Sequence, residues 1–309
     1  MNFKNRDIIS ILELEKDEIE FILEKSVYME QLINKKEDLS LLKGMVLAYL
    51  FYEPSTRTKL SFVSAIKKLG GEAIGFSKVG SSSVAKGETL ADTVRTVEKY
   101  ADIIVLRHTK EGAAKLAAEY SSVPVINAGD GAGQHPTQTL LDLYTIKKEK
   151  GKIDDLTVTI VGDLHYGRTV HSLVHALSRY NCTINLVSPK ELRLSANVLD
   201  DIKGLNNNIY EFEKLNECIE GTDVLYVTRI QKERFVSDLE YNLVRGSYII
   251  NNKLLESAKA DMIILHPLPR VDEISSEVDD TKHAKYFDQA HNGLIVRMAL
   301  LCLLLGAIE

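Results

Sequence analysis

The sequence predicts an α/β protein of two doubly wound parallel-sheet domains, with a C-terminal helix packing back on the first domain. Three observations carry that prediction. A chain of 309 residues exceeds what one hydrophobic core commonly serves. Short apolar runs alternate with helical periods from end to end, the pattern of parallel strands covered by helices on both faces. A charged stretch, Lys147-Lys148-Glu149-Lys150-Gly151-Lys152, separates one strand–helix series from a second.

The runs Met45–Phe51, Ile103–Leu106 and Val123–Ile126 read as buried strands of the first series. Thr157–Val161, Thr183–Val187, Val224–Val227 and Met262–Leu265 read as those of the second. Between them, Phe62, Ala65, Ile66 and Leu69 recur at i, i+3, i+4 and i+7, as do Val170, Leu173, Val174 and Leu177, so each set forms one face of a helix. A helix is expected to begin near Pro136, a residue suited to a first turn, and to end in the charged stretch, whose charges read as a solvated helix end. The expected domains are 1–135 with 290–309 and 150–285, joined by a connecting helix over 136–149. No internal repeat or low-complexity tract interrupts them.

Composition bounds the chemistry. Apolar residues make up 45% and charged residues 27%, as in ordinary globular proteins, and the net charge is −6. That balance argues against a general nucleic-acid surface, which needs a basic excess. Cys182, Cys218 and Cys302 are odd in number and far apart, with no C-x-x-C pair, so neither a disulfide framework nor a thiolate metal site is expected. The first twenty residues lack the apolar core of a signal peptide. The apolar stretch from Gly293 to Ile308 is interrupted by Arg297 and is too short to span a bilayer, so a buried helix is expected. A soluble cytoplasmic protein with no cofactor and no metal is the resulting expectation.

Four segments in the first half carry candidate chemistry. Phe51-Tyr52-Glu53-Pro54-Ser55-Thr56-Arg57-Thr58 joins a strand to a helix, where Ser55 can cap and the free N–H groups of the first turn form an anion site. Ser81-Ser82-Ser83-Val84-Ala85-Lys86-Gly87-Glu88 alone reads as a polar loop. Arg107-His108 follows a strand directly, and Gly133-Gln134-His135-Pro136-Thr137-Gln138 opens a helix after another. A lone histidine there is more often structural than catalytic. Three strand ends presenting Arg57, Arg107 and His135 together are harder to dismiss.

These segments resemble the transcarbamylase family, through S-T-R-T at Ser55–Thr58, K-G-E-T at Lys86–Thr89, H-P-T-Q at His135–Gln138 and H-P-L-P-R at His266–Arg270. The resemblance covers nearly the whole chain. Lys59 and Val63 stand where that family commonly has Arg and Glu, so no ion pair is expected at that place. The resemblance implies that the first domain binds carbamoyl phosphate and the second an amino-acid acceptor. Ser55, Thr56, Arg57 and Thr58 would hold the phosphate. Thr58, Arg107 and His135 would stabilise the oxyanion formed as an amine attacks, and Gln138 with the carbonyls of Pro267 and Leu268 would bind the amide end. Phosphate leaves readily, so no covalent nucleophile or metal is required.

Gly162-Asp163-Leu164-His165-Tyr166-Gly167-Arg168-Thr169 comes within one residue of a P-loop, which keeps a nucleotide-binding α/β protein as a competing reading. Arg replaces the P-loop lysine poorly but suits a planar carboxylate in bidentate contact. Thr228-Arg229-Ile230-Gln231 offers a second arginine at another strand end, and two arginines fit a dicarboxylate such as L-aspartate. Ornithine-using relatives commonly read H-C-L-P where this chain has His266-Pro267-Leu268-Pro269. An ornithine-type or other-acceptor enzyme remains the nearer alternative. By resemblance, the expected reaction is carbamoyl transfer to aspartate, an early step of pyrimidine biosynthesis, with Lys86 and Gln231 also holding aspartate. The resemblance further implies a homotrimer whose Ser82–Lys86 loop enters the neighbouring subunit's site, with a regulatory chain as a candidate partner. Arginines concentrate in these motifs (Arg57, Arg107, Arg168, Arg229 and Arg270), so a net-acidic protein can keep a cationic cleft.

Overall fold

The computed structural model describes residues 1–35, 39–77, 87–206, 208–230, 235, 237, 241–242 and 244–309. The chain divides into two compact units, Met1–Tyr144 with His291–Glu309, and Thr145–Ala290. Two helices contain the divisions, α5 (Pro136–Lys150) and the C-terminal α9 (Tyr286–Leu304).

The first unit holds strands β1 (Val46–Phe51), β2 (Glu72–Phe76), β3 (Ile103–His108) and β4 (Val125–Asp130). They form one parallel sheet in the order β2-β1-β3-β4. Helices α1 (Lys16–Asn34), α2 (Thr56–Lys68), α3 (Leu90–Val97) and α4 (Ala113–Tyr120) accompany it. Phe62, Ala65, Ile66 and Leu69 are all buried, as their spacing predicts. One core cluster packs Ala48, Leu50, Ile104 and Leu106 against Val94, Ala114 and Ala117. The end of the chain belongs to this unit, where the Leu304 carbonyl accepts from the Asn5 N–H at 2.9 Å.

The second unit holds β5 (Thr157–Val161), β6 (Thr183–Val187), β7 (Ile209–Phe212), β8 (Val224–Val227) and β9 (Ile263–Leu265), parallel in the order β7-β6-β5-β8-β9. Helices α6 (Arg168–Leu177), α7 (Ala196–Lys203) and the short α8 (Asn252–Leu255) lie between strands. Val170, Leu173, Val174 and Leu177 are buried, again as predicted. The charged end of α5 is less free than a solvated helix end. Lys150 pairs with Asp261 at 2.7 Å and Glu149 with Lys285 at 2.9 Å, both within this unit.

Both sheets reverse direction once. After β1 the first sheet grows to β2 on one side and then to β3 on the other. After β5 the second grows through β6 and β7 and then returns to β8. Such reversals leave a crevice at the carboxyl ends of the two flanking strands, the usual ligand position of an open α/β sheet. Among the described residues, no helix is long and apolar enough to cross a membrane.

Candidate active site

In the first unit the reversal lies between β1 and β3. Phe51, the last residue of β1, sits opposite Arg107, and the Tyr52 N–H donates to the Arg107 carbonyl at 2.8 Å. The chain then turns through Glu53 and Pro54 into α2, with Ser55 at the N-cap position and Thr56, Arg57 and Thr58 in the first turn. Ser55 does not cap as the sequence suggests, because its hydroxyl makes no capping hydrogen bond although its backbone is extended. Thr58 is buried, whereas Thr56 and Arg57 are exposed. Lys59 lies 4.9 Å from the Tyr49 ring centroid, a cation–π contact.

The β3–β4 ladder is irregular at Arg107, since Leu106 faces Asn127 while His108 faces Asp130. Bulges of this kind re-aim side chains. Here the Nη1 of Arg107 donates to the Ala128 carbonyl at 3.0 Å, and Nη2 lies 3.3 Å from the Glu53 carboxylate. The guanidinium is thus buried between one neutral and one anionic acceptor, which offsets much of its desolvation.

Asp130 at the end of β4 shapes the loop that carries His135. One carboxylate oxygen accepts from the Asn127 amide at 2.9 Å and the Gln134 N–H at 3.2 Å, and the other accepts from the Gly112 N–H at 2.9 Å. The Asp130 carbonyl accepts from Gly133 N–H at 2.9 Å. His135 follows, buried, and its carbonyl accepts from the N–H groups of Gln138 and Thr139 as α5 begins. Pro136 has no N–H and so leaves no orphan donor at the first helical position. The Gln138 amide nitrogen donates to Asp142 at 2.8 Å.

In the second unit the reversal lies between β5 and β8, where Val161 pairs with Val227. Gly162 adopts φ +124°, and a Cβ there would meet the Thr228 carbonyl oxygen at 2.2 Å, so only glycine lets the two strand ends lie this close. The Thr228 Oγ1 accepts from the Asp163 N–H at 3.0 Å. Asp163 Oδ1 accepts from the Tyr166 N–H at 2.8 Å, and His171 Nε2 donates to the Leu164 carbonyl at 3.1 Å. These bonds fold residues 162–167 against the end of β8. Arg168 thereby emerges as the first residue of α6, and Arg229 directly follows Thr228, at the same end of adjacent strands. A small pocket, open to solvent, is lined there by Gly162, Thr228, Ile230, Tyr241, Arg245 and Glu273.

The H-P-L-P-R turn follows β9 in the same unit. His266 is buried, and its Nδ1 accepts from the Leu268 N–H at 2.7 Å, so Nε2 carries the proton it donates to Glu273 at 2.7 Å. Burial works against ionisation of Glu273, but His266 and the backbone N–H groups of Glu273 itself and Val271 more than offset it and hold the carboxyl below the usual range. Leu268 has φ +53°, and the Leu268–Pro269 bond is cis. Arg270 adds no free charge to a cationic cleft. It pairs with Asp279, donates to the Tyr286 hydroxyl at 3.0 Å and lies over the Phe287 ring.

Ser55, Thr56, Arg57, Thr58, Arg107, His135 and Gln138 therefore belong to the first unit, and Arg168, Arg229, Pro267 and Leu268 to the second. Ser82, Lys86 and Gln231 lie outside the described residues. The motifs did not point to the carboxylates that orient these groups. Glu53 precedes Ser55 by two residues, and Asp130-Gly131 is a turn dipeptide, so each left a local trace. Asp142 and Glu273 left none.

Two family models match the chain. The aspartate/ornithine carbamoyltransferase carbamoyl-P binding domain matches residues 6–148, and the Asp/Orn binding domain of the same family matches residues 154–304. A protein of Thermococcus kodakarensis named aspartate carbamoyltransferase catalytic subunit is 55% identical over 308 residues, covering 100% of this chain and 99% of that one. The catalytic subunit of M. jannaschii aspartate transcarbamoylase, in an orthorhombic crystal form, is 56% identical with a TM-score of 0.90, covering 96% of each chain. Aspartate transcarbamoylase from Trypanosoma cruzi in complex with N-(phosphonacetyl)-L-aspartic acid is 40% identical with a TM-score of 0.93, covering 98% of this chain and 97% of that one.

Proposed function

The chain belongs to the aspartate/ornithine carbamoyltransferase family, and from that premise we propose how its residues carry out the reaction. It transfers the carbamoyl group of carbamoyl phosphate to the amino group of L-aspartate, giving N-carbamoyl-L-aspartate and phosphate. The observation that carries the assignment of roles is the pair of strand-order reversals. One presents the phosphate-suited first turn of α2 beside Arg107, and the other presents Arg168 beside Arg229.

In our reading, the first-turn N–H groups and side chains of Ser55, Thr56, Arg57 and Thr58 hold the phosphate, helped by the positive end of the helix dipole. Arg107 spans phosphate and carbonyl, with Glu53 and the Ala128 carbonyl fixing its direction. The aspartate nitrogen donates its lone pair to the carbamoyl carbon, a C–N bond forms, and the carbonyl oxygen gains negative charge. Thr58, Arg107 and His135 donate to that oxyanion, each worth about 3 kcal/mol when aimed in advance. The tetrahedral intermediate then collapses, the carbon–oxygen bond to phosphate breaks, and phosphate departs with the electron pair. The attacking nitrogen passes its extra proton to an oxygen of the departing phosphate. Gln138 and the carbonyls of Pro267 and Leu268 receive the carbamoyl amide, the latter two held in place by His266. Arg168 and Arg229 bind the two aspartate carboxylates, with Lys86 and Gln231 completing the acceptor site. The working form is a cytoplasmic homotrimer in which the Ser82–Lys86 loop serves the neighbouring subunit, a regulatory chain being a further candidate partner.

Arg229→Ala tests this reading. Removing one partner of a desolvated charge pair costs about 2–5 kcal/mol, so KM for aspartate should rise by about thirtyfold or more while carbamoyl-phosphate binding persists. A mutant with near-normal KM for aspartate contradicts the acceptor assignment.

A further inference from the structure

Helix α9 is apolar from Leu294 to Leu304 except at Arg297, which is 3% exposed. A buried guanidinium is expensive, and this one is poorly compensated. Its Nη2 donates to the Thr137 hydroxyl at 3.3 Å, while its Nε has no hydrogen-bond partner. Desolvation pushes its pKa down to about 10, opposed by the charge of Asp142. Chains do not keep such groups for stability alone, since an apolar side chain of similar volume commonly serves as well.

The surroundings say what the charge is placed to do. Gly293, one turn before Arg297, makes room for it, because a Cβ there would lie 2.5 Å from Nη1 and 3.0 Å from Leu141. The guanidinium carbon stands 5.0 Å from the ring centroid of Phe62 on α2, the helix whose first turn holds Ser55 to Thr58. Its other neighbours, Thr137 and Asp142, are on α5, the helix that begins beside His135. Asp142 is fully buried and accepts from the amide nitrogen of Gln138, one turn earlier. An ionised carboxylate can only accept, so Gln138 must turn its nitrogen toward Asp142 and keep its carbonyl oxygen for another partner.

We propose that buried Asp142 positions the carbamoyl group by fixing which end of the Gln138 amide meets the substrate. With its nitrogen committed to Asp142, Gln138 presents an acceptor, which suits the NH2 of a carbamoyl group and not a methyl group or a carbonyl. The positive charge of Arg297 favours an acceptor at Asp142 by attraction. Asp142 and Arg297 are positioning residues that do not touch substrate. The inference rests on the reading above that Gln138 contacts the carbamoyl amide.

Two unreactive analogues separate amide recognition from phosphate binding. Phosphonoacetamide keeps the NH2, and acetonylphosphonate carries a methyl group in its place. The ratio of their dissociation constants, measured by calorimetry, reports the Gln138 contact. In Asp142→Asn, the asparagine can turn its nitrogen toward Gln138, the positive charge of Arg297 favours that orientation, and the glutamine amide inverts. The preference for phosphonoacetamide should fall about tenfold, the worth of one hydrogen bond between well-aligned groups. Gly293→Ala retains both charges and a good helix former but displaces the guanidinium, and should lower the preference in the same direction. Neither change should lower it further when Gln138 is already alanine. If Gln138→Ala leaves the ratio at the parent value, the reading of Gln138 itself is wrong. If Gln138→Ala lowers the ratio while folded Asp142→Asn or Gly293→Ala keeps it, the positioning role is overturned.

Discussion

Thr228→Val removes one hydroxyl at almost constant volume, and the structure says what that should do. The Thr228 hydroxyl is the acceptor for the Asp163 N–H, in a loop where Asp163 is fully buried. Valine leaves that N–H without a partner and away from water, which costs about 1–3 kcal/mol. For a protein of this size the melting temperature should fall by roughly 2–10 °C. The functional effect is more specific. The same bond holds residues 162–167 against the end of β8, and so sets Arg168 and Arg229 relative to each other. If about 1 kcal/mol of that preorganisation is lost, KM for aspartate should rise by about fivefold. Carbamoyl-phosphate binding should change little, since Ser55 to Thr58 and Arg107 belong to the other unit. The assay is steady-state kinetics with each substrate varied in turn, alongside calorimetric melting. A mutant that melts lower but keeps the parental KM for aspartate would refute the claim that this bond organises the acceptor arginines.

Two further outcomes follow from the assigned roles. His135→Ala should lower kcat about a hundredfold with phosphate binding largely intact, and unchanged turnover would reduce His135 to a helix-start residue. Arg57→Ala and Lys86→Ala should each be nearly inactive alone. Denatured together in equal amounts and refolded, they should recover about a quarter of parental activity, because most closed rings of three are mixed and each mixed ring regains one complete site. Absence of recovery in demonstrated hybrids would place Lys86 in its own subunit's site or in none.

The interior strands were legible because both faces of a central parallel strand are buried, so β1, β3, β5, β6 and β8 appear as apolar runs, and so does the edge strand β9, whose three residues are all buried. The edge strands β2 and β7 were not. Glu72, Gly75, Tyr210 and Glu211 are exposed, so neither of these two strands shows an apolar run. Strand β4 was read two residues early, at Val123, and cut short at Ile126. Its second half, Asn127-Ala128-Gly129-Asp130, is polar in sequence yet fully buried, because Asn127 and Asp130 satisfy each other and the neighbouring backbone. The site divides in the same way. Arginines and hydroxyls at strand ends announce themselves by position. Asp142, Arg297, His266 and Glu273 act through partners brought together by tertiary structure, and the motifs give no spacing for those pairs. Arg297 was visible only as an interruption in an apolar helix.

The central claim is that this site carries a carbamoyl group from phosphate to the amine of a dicarboxylate. The most direct measurement supplies carbamoyl phosphate with L-aspartate or with L-ornithine, in parallel, and identifies the carbamoylated product by mass spectrometry while phosphate release is followed. The account predicts N-carbamoyl-L-aspartate in equal amount to phosphate, with no product from ornithine above the uncatalysed level. Carbamoylated ornithine, or phosphate release that proceeds equally without any acceptor, would contradict it.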